Sequence, residues 1–418
     1  MSSLPPLFKD TKEFLVVSAI LLTIILVRVL FLYQDYLNLK NLNSYYYTTA
    51  KVINIYQQNQ NKKLLKLKSI SDDFSFYLST NKNIKIGSIV KAKIRLQDDT
   101  TFINYLKGFF AYGDIINTLK QDSFSPKEPL INAISKQHTN SQIANFYSAI
   151  YLAKPLSKNL RQRVATLGIS HLVALSGYHL GILWSIILAV IYLPYRYLQQ
   201  RYFPYRNRDF DLGIFIILIL ALFMLFVGSP PSLIRAFIML LIGWIVLILG
   251  LELISFKLLA FSTLLILAIF PKLIVSFSFL LSVIGVFYIF LVLKYFKDYH
   301  PLLISLIVIP IGIFVLIFPI AHYLFPISSK YQLLSPILSV IFIPFYPISA
   351  LLHLLGYGNI FDNYLIYIFN LPKDYIEVTI PTPLIVLYAI LSVLSIFNKR
   401  VFFITFALAL IVTIYSIF

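Results

Sequence analysis

The sequence has 418 residues, 59% hydrophobic and 12% charged, with a formal net charge of +18. A soluble domain carries about 25% charged residues, so a wholly water-soluble globular chain is excluded, and the mean hydropathy of +0.82 agrees. There is no cysteine, which excludes disulfide frameworks, thiolate metal sites and cysteine nucleophiles.

Residues 14–33 are the first apolar stretch long enough to cross a bilayer, which takes roughly 20 residues as a helix. The stretch is too long for a signal core and no small-residue cleavage site follows it, so a retained span is expected within residues 1–40. From 41 to about 100 the character changes. Short alternating segments at 49–56, 62–68, 74–79 and 89–96 are separated by polar turn material. Alternation with period two predicts a small antiparallel β domain.

Lys62, Lys63, Lys66, Lys68, Lys82, Lys85, Lys91, Lys93 and Arg95 lie in this segment, against Asp72 and Asp73. Tyr45, Tyr46, Tyr47, Tyr56, Phe74, Phe76 and Tyr77 are interleaved with them. Basic grooves lined by rings suit single-stranded nucleic acid, because phosphates are neutralised while bases stack. A solvated basic face over an aromatic core is the plain alternative. On a strand, Lys62, Lys66 and Lys68 share one side, with Lys63 on the other beside Leu65 and Leu67.

Residues 101–168 mix apolar and polar positions at helical spacing, as in Ile143, Phe146, Tyr147, Ile150 and Tyr151. Amphipathic linking helices lying on the membrane are expected there, with packing against a span bundle as the alternative. From 169 to 418 the chain is almost continuously apolar, a polytopic helical region. Spans are expected near 171–193, 210–227, 233–251, 256–270, 273–293, 302–324, 380–397 and 401–418. The segment 256–270 is short enough to be re-entrant. Residues 331–355 read as a helix interrupted by Pro336, Pro344 and Pro347.

Lysine and arginine in short loops mark the cytoplasmic side. Arg196, Arg201, Arg206 and Arg208, then Lys294 and Lys297, then Lys399 and Arg400 fall in such loops. Counting back from the first of them puts the β domain outside. Its lysines then lie where lipid electrostatics do not call for them, which points to a polyanion.

Three polar insertions interrupt the apolar region. The first is GISHLVALSGYHLG at 168–181, with His171, Ser176, Gly177 and His179 at the head of a span. Such groups are costly in lipid and must face protein or water. The second is GSPPSLIRA at 228–236, which puts Arg235 one turn into the next span, with Ser232 or Pro231 at the helix start. The third is SFSFLLS at 276–282, carrying Ser278 and Ser282.

At these residues the chain resembles the ComEC family of competence proteins. The family pattern G-I-S-H-L-x-A-x-S-G-x-H is matched from Gly168 to His179. An S-x-x-R-A pattern resembles Ser232, Arg235 and Ala236, and an S-F-x-L-S pattern resembles Ser278, Phe279, Leu281 and Ser282. The run from Tyr105 to Gly108 looks like the segment that follows the family's OB-like domain. The resemblance covers about residues 41–360 and rests chiefly on the first motif. It implies an extracytoplasmic five-stranded OB-like domain followed by a helical channel domain, in a multi-pass protein of the cytoplasmic membrane. The fold class expected is therefore a polytopic α-helical membrane protein with a small inserted OB-like β-barrel near its N-terminus.

The implied function is passage of single-stranded DNA across the cytoplasmic membrane during natural transformation. His171, Ser176, Gly177, His179, Ser232, Arg235, Ser278 and Ser282 are the candidates for the DNA path. Lys62, Lys66, Lys68, Lys91, Lys93 and Arg95 are the candidates for DNA contact on the β domain. Many family members end in a metallo-β-lactamase-like domain with an H-x-H-x-D-H cluster. The six histidines here include no pair two residues apart, so a short form without that domain, and no nuclease activity, is the expectation. No GxxxxGK[ST] phosphate loop is present. No cofactor or metal is expected. The partners expected are single-stranded DNA, membrane lipid and a separate DNA receptor, nuclease and ATP-driven motor, with a homo-oligomer left open. Two other readings stand beside this one. One is a secondary transporter for a small solute, which fits interrupted helices but finds no acidic residue in mid-span. The other is an intramembrane hydrolase using Ser176 and His179.

Overall fold

The computed structural model describes residues 5–42, 44–57, 62–120, 126–371 and 374–418. The chain forms two compact units. One comprises Thr11–Glu128 with Thr263–Ser276, the other Met1–Asp10, Pro129–Ser262 and Phe277–Phe418.

The first of these opens with α1 (Thr11–Lys40), thirty residues whose central stretch 14–33 is apolar apart from Ser18, Thr23 and Arg28. Five strands follow: β1 (Tyr46–Gln57), β2 (Lys63–Ser69), β3 (Ser75–Thr80), β4 (Ile89–Leu96) and β5 (Phe109–Lys120). They close into a barrel in the order β1-β2-β3-β5-β4, with β4 returning to β1. All pairs are antiparallel except β3 with β5, which run parallel through Phe76 opposite Phe109 and Tyr77 opposite Phe110. This is an OB-like barrel. Leu65, Leu67, Phe74, Phe76, Leu78, Val90, Ala92, Ile94, Phe109 and Ile115 fill its interior, and the intervening residues face out. α2 (Phe102–Lys107) is capped by Thr101, whose side chain accepts the Asn104 N–H, and it adds Tyr105 and Leu106 to that core.

The fifth strand lies beyond residue 100, where the β domain was expected to end and linking helices to begin. Its signal is weak in sequence because a helix precedes it and Gly113 interrupts it. Gly113 has a positive φ of 156°, and a Cβ there would run into the Lys93 carbonyl oxygen.

In the other unit, α3 (Glu128–Lys136), α4 (Ser141–Leu152), α5 (Lys158–Thr166) and α6 (Ser170–Val173) precede the long apolar helices. α4 starts at Asn140, whose side chain accepts the Gln142 N–H. It does not lie on a surface as an amphipathic helix, because Ile143, Ala144, Phe146, Tyr147, Ser148, Ala149, Ile150 and Leu152 are all buried. The run of small and apolar residues all round this helix makes it a core element.

Then come α7 (Gly177–Tyr202), α8 (Arg208–Phe226), α9 (Pro231–Ile248), α10 (Phe256–Ile269) and α11 (Phe277–Phe296). α12 (Pro301–Leu303) and α13 (Ile309–Leu324) join through a π turn at Ile304–Val308, just before Pro310, which has no N–H to continue the ladder. β6 (Ile327–Ser328), α14 (Ser335–Leu354), α15 (Asp362–Asn370), β7 (Ile376–Glu377), α16 (Thr382–Leu394) and α17 (Lys399–Ile417) complete the chain. Seven helices among the described residues are long and apolar enough to cross a membrane, and three shorter apolar helices accompany them. The protein is a multi-pass membrane protein.

Three expected boundaries move. The span expected from 171 begins at Gly177, and His171 sits on the separate short helix α6. The span expected from 273 begins at Phe277, because Pro271 opens a 3-10 turn, Pro271–Val275. The segment 331–355 is not interrupted: α14 is continuous from Ser335, with Pro336 in its first turn and Pro344 and Pro347 inside it.

Candidate functional site

The first polar insertion folds as a break between α6 and α7. Ser176 caps α7 in extended conformation, with its N–H donated to His179 Nδ1 at 3.3 Å and its Oγ 3.4 Å from the same nitrogen. A ring nitrogen that accepts an N–H carries no proton of its own, so neutral His179 holds its proton on Nε2. Among the described residues that Nε2 is buried without a well-formed hydrogen bond, with the Leu172 backbone as the acceptor beside it, and His179 is fully buried, edge-on to Phe342 at 5.4 Å and Tyr346 at 5.0 Å.

Gly177 allows α7 to approach α9: a Cβ there would sit 3.4 Å from the Ala236 Cβ. Gly168 has a φ of 70°, and a Cβ on it would press within 3.4 Å of Gln332 and Ser335. Its carbonyl accepts the Ser335 hydroxyl at 3.0 Å.

The second insertion joins the first. Ser232 donates to the Leu175 carbonyl at 2.8 Å, one residue before the cap of α7. Ser232 is not the helix cap; Pro230 takes that place with Pro231 at the first helical position, where a missing N–H costs nothing. One turn on, Arg235 is 4% exposed. Its Nη1 donates to Ser278 Oγ at 3.4 Å, its guanidinium lies 5.8 Å from the Phe279 ring centre, and its Nε has no partner. The third insertion thereby meets the second. Ser282, one further turn along α11 and half-buried, makes none of these contacts.

α14 supplies a wall that sequence reasoning missed. Ser335, Ser339, Phe342, Tyr346, Ser349 and His353 recur at steps of four and three, one stripe of a helix. Ser335 meets Gly168, Ser339 Oγ lies 3.1 Å from His171 Nε2, and Tyr178 donates to the Ser339 carbonyl at 2.7 Å. Phe342 and Tyr346 face His179, and Ser349 is 2.6 Å from the Tyr151 hydroxyl. His322 and Gln332 are two further buried polar side chains in this unit, beside each other. The stripe was legible as polar residues at helical spacing in an apolar run, but the three prolines drew the reading away from a continuous helix.

On the barrel, Lys62 is exposed just before β2, Lys66 and Lys68 face out of β2, and Lys91, Lys93 and Arg95 face out of β4. Lys63 lies on the other side of β2 and reaches Asn83 Oδ1 at 2.8 Å. Between the two cation rows stands Lys51 of β1, directly opposite Lys68. Thus Lys91, Lys51, Lys68 and Lys66 descend across three adjoining strands, since Thr49 pairs with Lys91 and Asn54 with Lys66.

Beside Lys66 comes an aromatic row. Lys66 pairs with Tyr77, and its Nζ lies 5.6 Å from that ring's centre. Tyr77 pairs with Phe110 and stacks on it at 5.1 Å. Tyr112 follows two residues along β5, opposite Arg95. Phe110 and Tyr112 are 54% and 61% exposed, and Leu64, Ser79 and Gln97 join them around an open cavity of about 390 Å³. Of the rings noted in sequence, Phe74 and Phe76 point inward, while Tyr45 and Tyr47 are exposed. Phe110 and Tyr112 lie on β5, past residue 100 where the β domain is expected to end.

Tyr46 donates to both Asp72 oxygens, at 3.0 and 3.1 Å, and Thr48 and Ser69 close the same network. Burial, with the Asp72 carboxylate beside it, pushes the Tyr46 phenol up. This cluster ties the strand ends and presents no free cation or ring.

Fold and site together define a multi-pass helical membrane protein that carries a closed five-stranded barrel and three polar motifs meeting inside its helical unit. A family model described as competence protein matches residues 153–400. The chain belongs to this ComEC family of competence proteins. No curated protein and no solved structure is similar enough to match it.

Proposed function

We propose that the protein carries single-stranded DNA across the cytoplasmic membrane during natural transformation. The observation that carries this reading is the cluster formed by His179, Ser176, Ser232, Arg235 and Ser278, which brings three separate motifs of a competence protein to one place. Arg235 is a buried cation whose guanidinium reaches a hydroxyl and a ring, and His179 offers a buried N–H with no well-formed hydrogen bond among the described residues. Both suit a passing phosphate, which brings negative charge and acceptor oxygens. The barrel, outside the membrane by the loop-charge argument, would take up the strand on its lysines and rings.

The hydrolase reading is not favoured. A serine–histidine pair is oriented by a third group, and among the described residues His179 is bonded to Ser176 and to no carboxylate. The test is deletion of the gene, with surface binding of labelled DNA and its arrival in the cytoplasm scored separately. Loss of arrival with surface binding intact is expected, and restoration by the wild-type gene but not by an Arg235→Gln variant. Unchanged arrival in the deletion strain overturns the reading.

A further inference from the structure

His138, His353 and Asp362 were given no role by the motifs, yet through them two regions more than 200 residues apart meet. His138 follows α3, His353 ends α14 and Asp362 begins α15. His138 Nδ1 lies 2.9 and 3.0 Å from the two Asp362 oxygens, and His138 Nε2 lies 3.0 Å from His353 Nε2. His353 Nδ1 is 2.6 Å from the Ser349 carbonyl. His138 and Asp362 are buried and His353 is half-buried.

The protons can be counted. A carbonyl only accepts, so His353 Nδ1 carries a hydrogen. A carboxylate only accepts, so His138 Nδ1 carries another. A distance of 3.0 Å between two ring nitrogens is a hydrogen bond and holds one proton. The two rings then share a single positive charge, which Asp362 balances. Adding a proton sets two N–H groups and two cations face to face. Removing the shared one leaves two lone pairs in contact. The three-residue array is closed in one protonation state only.

The groups facing it are few. From α4, Tyr147 stacks on His138 at 4.8 Å and meets His353 edge-on at 4.4 Å, and Tyr151 meets His353 at 5.5 Å. From the turn before α4, Gln137 donates to the His353 carbonyl at 3.0 Å and accepts the Gly358 N–H at 2.8 Å. Among these contacts the charged partner is Asp362.

What the array holds is an arm. β6 before α14 pairs with β7 after α15, so both ends of the arm return to one place. α15 has nine residues, about 14 Å at 1.5 Å each, roughly half the ~30 Å needed to recross a bilayer as a helix. The arm is anchored at its base, and its far end is fastened to α3 and α4 by the histidines. Its inner face is the stripe against His171 and His179.

We propose that His138, His353 and Asp362 form a proton-binding clasp that seats α14 against the polar motif and releases it when the pH changes. The clasp rests on these distances alone; its bearing on DNA passage rests on the function proposed above. Hydrogen–deuterium exchange of the full-length protein in lipid nanodiscs, without DNA, tests it. Exchange in residues 335–371 is followed between about pH 5 and pH 8, the range in which histidine titrates, and corrected for intrinsic rates. Protection near neutral pH should fall at least about tenfold as the pH drops and the second imidazole is protonated. Asp362→Asn should be unprotected throughout, having lost the balancing charge. His353→Gln, which can still bond His138 but cannot titrate, should be protected throughout. Should Asp362→Asn fail to fold, the His353→Gln profile decides. A flat profile in the wild type, or an undiminished step in His353→Gln, overturns the proposal.

Discussion

Lys51 and Lys68 stand directly opposite each other on β1 and β2, both pointing out of the barrel. Like charges in that relation are destabilising by roughly 0.2–1 kcal/mol. A pair kept at such a cost is a natural seat for a phosphate. Replacing either lysine by Gln should therefore raise the melting temperature slightly while weakening DNA binding. A lowered melting temperature would mean the pair serves the fold.

The salt dependence of binding separates cations from rings. Each phosphate contact contributes about 0.7 to the slope of log affinity against log salt for a single strand. Changing Lys51, Lys66 and Lys68 together to Gln should flatten the slope by about two, equally for different sequences, on that reasoning. An unchanged slope would remove this face from the DNA path.

Tyr77 and Phe110 should behave in the opposite way. Each is paired across β3 and β5 and offers a ring face beside Lys66. Replacement by Ala should cost about 1–3 kcal/mol of single-strand affinity per base lost, with the salt slope intact. Filter binding or fluorescence titration of the full-length protein gives both quantities.

Arg235 distinguishes a functional charge from a structural one. A buried cation with no carboxylate in contact is expensive to keep, and among the described residues Arg235 meets no carboxylate and its Nε has no partner. Arg235→Gln should leave thermal stability in detergent unchanged or raised, while DNA arrival in the cytoplasm falls by at least about tenfold, the change expected from losing about 1.4 kcal/mol. A strong drop in stability would mark Arg235 as a packing residue.

Gly213 tests the packing of α8 on α9. A Cβ at that position would run into the Trp244 indole. Gly213→Ala should destabilise by about 1–3 kcal/mol through overpacking, read as a lower melting temperature. An unchanged melting temperature would mean that the indole has room to swing aside.

Much of this was legible in the sequence, for physical reasons that can be named. β1 to β4 alternate cleanly, because one face is the barrel core and the other meets water. The long helices announce themselves by length and composition. β5 did not, since Gly113 and a preceding helix break its pattern. α14 was misread because Pro344 and Pro347 suggest a break, although a helix packed on its neighbours keeps its course past them. The meeting of His138 with His353 and Asp362 joins positions more than 200 apart in the chain, and no local pattern encodes such a contact. The spacing of His171, Ser176 and His179 was visible, but not that Ser232 would bond Leu175, because that depends on how α9 crosses α7.

The central claim, that DNA passes along the polar face between α7 and α14, is tested most directly by photo-crosslinking during uptake. A photoreactive residue is placed at Phe342, beside His179, and in a separate strain at Val190, which is 68% exposed on the apolar surface of α7. Labelled transforming DNA should crosslink at position 342 and not at 190, and only while uptake proceeds. Crosslinking at neither position, or equally at both, contradicts the account.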